Sequence, residues 1–220
     1  MNEPHSALSR STHALEGRAK ASPLSESVAG ADHRILWIDG VGGFLLIDSS
    51  QVLVGQAVSG TAVDVAIVGD LSRQACAFRR NECDYLLQPL QPMKLDGQPV
   101  DRAQLLGEES IIQLGSRIRL KFTRPNPLSA TAKIELESLN RFKPSVDGVL
   151  MLADSCILGP NAGSHVVCPW EHELLMFQQD GLWHFRSLVD IDVNGKKQKG
   201  QIPIEAGLRL RGEDFSLSIE

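Results

Sequence analysis

The sequence predicts an all-β protein, two tandem β-sandwiches preceded by a disordered N-terminal tail. Three observations carry this. Short runs rich in Val, Ile, Leu and Phe recur along the chain, cut by Gly, Asp, Ser and Pro turns. The pattern then begins again, so that GFLLIDSSQVLVG at 43–55 sets beside GVLMLADSCILG at 148–159. Residues 1–33 are rich in Ser, Ala, Gly and charge, with too few large apolar side chains to offset the entropy of ordering them.

Taken in order, the first strands are ILWID at 35–39, GFLLID at 43–48 and QVLVG at 51–55. GVGG at 40–43 is a hairpin turn, not a phosphate cradle, because no helical pattern follows it. VDVAIVG (63–69), ACAFRR (75–80) and DYLLQ (84–88) continue the set, and MKLDGQPV (93–100) folds about Asp96-Gly97, a pair suited to the positive φ of a two-residue turn. SIIQLG and SRIRLKF close the unit at Phe122. Arg124-Pro125-Asn126-Pro127 then punctuates the chain, since proline cannot serve a central strand. Strand-like runs resume at 132–138, 148–154, 156–159, 165–168, 173–177 and 182–185, with a further turn at Asn194-Gly195 and closing strands to Glu220.

The strand-ending glycines Gly55 and Gly159 lie 104 positions apart, and the turn glycines Gly97 and Gly195 lie 98 apart. A period near 100 residues matches one β-sandwich rather than a solenoid unit. The expected organisation is a tail at 1–33, a sandwich at 34–124, a linker at 125–131 and a second, divergent sandwich at 132–220.

The polar turn DLSR at 70–73 leads straight into a strand and follows a run that ends in glycine, the layout of loop-borne recognition on a β scaffold. Together with Gly55-Gln56 and Asp96-Gly97, it resembles the forkhead-associated (FHA) domain. The signature of that family is a Gly-Arg ending one strand, a Ser-x-x-His turn and a later Asn-Gly turn. The resemblance implies loops at one end of each sandwich that grip phosphothreonine peptides, with Gln56, Ser72, Arg73 and Asp96 as ligand-binding positions. Both copies depart from the signature. The phosphate-holding Arg is Gln56, the buttressing His is Ala75, the turn Asn is Asp96, and the earlier Asn-Gly-Thr falls on Gln91-Pro92-Met93. In the second copy Pro160 follows the glycine, and two registers place either Glu171 or Pro169 at the Ser position. The expected function is therefore non-catalytic protein interaction or scaffolding. The alternative is phosphothreonine-peptide recognition by the first domain in a kinase-linked signalling pathway.

Composition narrows the partners. A net charge of -5, from 22 Lys and Arg against 27 Asp and Glu, argues against general nucleic-acid binding. No apolar run approaches the roughly 18 residues of a membrane helix. Cys76, Cys83, Cys156 and Cys168 form no CxxC pair and no apolar signal segment opens the chain, so the thiols are expected reduced and the protein cytoplasmic. His165, Cys168 and His172, with His184 as a fourth, have a zinc-like spacing, but strand alternation separates the first two and no metal is expected. No nucleophile–base pairing, P-loop or dinucleotide fingerprint appears, so neither an enzyme nor a cofactor is expected. A protein or phosphoprotein partner fits, and the oligomeric state is left open.

Overall fold

A computed structural model describes residues 34–220; the tail expected at 1–33 lies outside the described residues. Every regular element among them is a strand, and these form two sheets of 15 and six strands. The all-β expectation holds at that level, and among the described residues no helix is long and apolar enough to cross a membrane.

The first half of the chain supplies β1 (Arg34–Ile38), β2 (Gly42–Ile47), β3 (Gln51–Gln56), β4 (Val65–Val68), β5 (Cys76–Asn81) and β6 (Asp84–Pro89). It continues with β7 (Met93–Leu95), β8 (Gln98–Val100), β9 (Gln104–Leu105), β10 (Glu109–Leu114) and β11 (Ile118–Thr123). The second half supplies β12 (Ala132–Leu136), β13 (Arg141–Lys143), β14 (Gly148–Met151), β15 (Ser155–Gly159) and β16 (Val166–Val167). It ends with β17 (Leu174–Gln179), β18 (Leu182–Val193), β19 (Lys196–Pro203), β20 (Arg209–Arg211) and β21 (Ser216–Ile219).

One order of pairing occurs twice. β3 is flanked by parallel β4 and antiparallel β5, and β15 by parallel β16 and antiparallel β17. Where the first half uses separate strands β6 and β7, the second runs through both positions in the single strand β18, with a bulge between Ser187 and Ile191. That continuous strand joins its two layers into the large sheet, because a bulge bends a strand without ending it.

The opening hairpins are exchanged between the halves. β1 pairs with the final strand β21, whereas β12 pairs with β11, the strand just before it. One core accordingly gathers Leu36, Ile38, Phe44 and Leu46 with Cys156, Leu158, Met176, Phe185 and Ile219. The other gathers Val54, Ile67, Phe78, Leu87, Ile112 and Phe122 with Ile134, Val149 and Met151. Between them β2 and β14 pair in parallel, Phe44 with Gly148 through Ile47 with Met151. Both faces of this pair are covered: Leu45, Ile47, Val149 and Met151 enter one core, Phe44, Leu46 and Leu150 the other. That is why these strands are continuously apolar instead of alternating.

Candidate functional site

The site grows from the end of β3. Val54 pairs with Cys76, and the next two residues meet the incoming 72–75 turn: Ala75 N–H donates to Val54 O (2.8 Å) and Gln56 N–H to Ser72 O (3.1 Å). Gly55 makes this crossing possible, because a Cβ there would collide with the Arg73 carbonyl. The turn is thus clamped to the strand by backbone alone. Ala75 is 3% exposed and held by packing.

Ser72, Arg73 and Gln74 line a pocket of about 690 Å³ together with Gly60, Thr61 and Gln91. Three loops meet there, those after β3, β4 and β6. Gln91, noted in the sequence only as a departure from Asn-Gly-Thr, is brought by the β6–β7 loop to the same pocket as Ser72. Thr61 also lines a second pocket of about 460 Å³, shared with Gln56, Ser59 and Lys143. The Thr61 hydroxyl oxygen is buried and has no hydrogen-bond partner. Gln56 turns its amide inward, Nε2 donating to Gly69 O at 3.0 Å.

Asp96 sits elsewhere. It occupies the β7–β8 turn at φ 49°, and its carboxylate accepts from Ile111 N–H at 2.7 Å while its own N–H donates to Ile111 O at 2.8 Å. Asn194, in the β18–β19 turn at φ 51°, does the same with Arg209, at 2.9 and 3.0 Å. The repeated arrangement pins a hairpin to its neighbouring strand. The structure therefore brings Ser72, Arg73 and, through Thr61, Gln56 together, and holds Asp96 in a separate turn.

In the second half a buried side chain stands at this point. Leu158 pairs with Leu174 as Val54 pairs with Cys76, so Trp170 takes the Ser72 position, one residue from each register read in the sequence. Its indole is 4% exposed and packs on Phe215 at 4.8 Å between ring centroids.

Other polar groups and thiols have structural roles. Arg80 Nη1 donates to Leu152 O at 2.7 Å, tying β5 to the end of β14. Burial pushes the Cys76 thiol up to about 12, and Cys83 is the exposed thiol. His165 is fully buried, its Nδ1 accepting from Ile157 N–H at 2.9 Å, and burial pulls its pKa down to about 4. Among the described residues no group of three or more His, Cys, Asp or Glu side chains is placed to hold a metal.

No protein-family model matches this chain, and no match was found among curated proteins or among solved structures.

Proposed function

We propose that this is a non-catalytic protein-interaction protein built on two FHA-like β-sandwiches, in which the loop end of the first repeat grips a peptide of the partner. The observation that carries this reading is the pocket where three loops converge on Ser72, Arg73 and Gln91, against the buried Trp170 at the same place in the second repeat. A loop end with an open pocket can take a side chain; one plugged by an indole serves packing. The free thiols fit a cytoplasmic setting.

Phosphothreonine recognition is the second reading, favoured by a hydroxyl and a guanidinium on one pocket rim. Gln56, neutral and engaged with Gly69 O, weakens the grip on a dianion. The test is titration of the full chain with a phosphothreonine peptide library and its unphosphorylated counterpart. Peptide binding lost on Arg73→Ala supports an interaction site at these loops; no binding to either library, or binding indifferent to Arg73, removes it. Gln56→Arg should add about 1 to 2 kcal/mol to phosphopeptide binding, the difference between a neutral and a charged donor. A tight phosphate preference in the natural protein would instead make the second reading the right one.

A further inference from the structure

The strand β13 is a detour of the second half of the chain into the territory of the first. It leaves after β12, adds to the β4 edge of the six-stranded sheet, and returns to β14. The register is Arg141 with Val68, Phe142 with Ile67 and Lys143 with Ala66. Phe142 anchors it in the core at 4% exposure, and Asn140 Nδ2 ties its start to Val68 O at 3.1 Å. With the middle residue buried, its two neighbours face outward, as strand alternation requires.

That placement delivers Lys143 to the pocket that also holds Gln56, Ser59 and the unpartnered Thr61 hydroxyl. Through Thr61 this pocket adjoins the one lined by Ser72 and Arg73. Among the described residues lining the two pockets there are two cations and no carboxylate, in a chain whose net charge is -5. Nor does any carboxylate among the described residues form an ion pair with Lys143 or Arg73. By contrast, the broad groove over β20 and β21 sets Arg209 and Arg211 among three carboxylates, Asp39, Asp192 and Glu220, and so does not favour an anion.

We infer that Lys143, supplied by the second repeat, is a ligand-binding residue of the first, and that the joint pocket takes the anionic side chain of a peptide. The inference rests on the reading of these loops as a peptide site. The side chain that β3 itself brings to this pocket, Gln56, is neutral, and Lys143 brings a cation to the same pocket from outside the repeat. Thr61 supplies a hydroxyl already stripped of water, which costs free energy until an acceptor or donor meets it. A carboxylate and a phosphate share the chemistry this set recognises, charge-assisted hydrogen bonding to oxygens.

The test uses the full chain and two kinds of probe. Inorganic phosphate, followed by amide chemical shifts, should perturb residues 56–61, 72–74 and 142–143. Lys143→Gln should weaken that binding about fivefold, the scale of one partly exposed ion pair. Lys197→Gln, on the remote strand β19, makes the same change in net charge and should leave it unaltered. One peptide carrying phosphothreonine, glutamate or alanine at a single position should bind in its first form, its second, or both, more tightly than in its third, and less tightly as salt rises. Binding of the phosphothreonine form alone identifies a phosphorylated partner, and equal binding of both acidic forms identifies an acidic one. If Lys143→Gln and Lys197→Gln behave alike, or phosphate perturbs none of these residues, the assignment of Lys143 is wrong. If phosphate binds through Lys143 while no peptide binds in any form, the anion site stands and the peptide-binding reading falls.

Discussion

At the scale of single residues, His165 carries the clearest linkage to pH. Its ring is fully buried behind β15, with Nδ1 accepting from the Ile157 amide, so the ring proton resides on Nε2. Nε2 itself is buried without a hydrogen-bond partner. Desolvation holds the folded-state pKa near 4, below the ordinary 6.5 of an unfolded chain. The unfolded state therefore binds the proton first as pH falls. This contribution to stability is complete above pH 6.5, erodes between 6.5 and 4, and is exhausted below 4; its upper bound is about 3 kcal/mol. Denaturant midpoints taken from pH 7 to 5 should fall for the natural protein. They should fall less steeply for His165→Asn, whose amide oxygen can still accept from Ile157. Parallel slopes in the two proteins would place the pH dependence elsewhere.

At the scale of elements, the entry to β5 depends on Gly55. Its missing side chain lets the Arg73 carbonyl cross the strand, and Ser72 and Ala75 are fixed by the flanking backbone bonds. Gly55→Ala should destabilise the fold by about 2 kcal/mol through overpacking, and should shift the amide resonances of 72–75 more than those of β10 and β11. Unchanged shifts in that turn would refute the close crossing. This part of the site was legible, because a strand-ending glycine and a polar turn are local signals. Most strands were legible for the same reason. The lysine-rich β19 was not, since KKQKGQIP has little strand propensity of its own and is ordered by pairing along β18. Nor was β13, three residues between Asn140 and Pro144, which owes its strand form to the β4 edge. Lys143 was therefore invisible as a site residue: only tertiary structure brings it to Gln56.

At the scale of the whole molecule, the exchange of opening hairpins could not be read from an internal repeat. Either hairpin offers the same continuous apolar run, β2 or β14, to either core, so the pattern fits both arrangements equally. What separates them is the short connection at 124–131. β12 follows β11 so closely that antiparallel pairing between them closes a small loop, which costs less entropy than a return across the molecule. β1 is then left to pair with β21. The halves are held by more than that linker. Phe44 to Ile47 pair with Gly148 to Met151, Trp183 Nε1 donates to Asp48 at 2.8 Å, and Tyr85 Oη donates to Ala130 O at 2.8 Å. Leu128, 90% exposed, is the natural point for a protease to enter. Cleavage there should leave a nicked protein that elutes as one species on size exclusion and keeps its cooperative unfolding. The two pieces, separated in denaturant, should refold only when mixed, because each core draws strands from both. A piece ending near residue 128 that folds alone to a cooperative, protease-resistant state would show that β1 and β2 can complete their own half and that the exchange is not required.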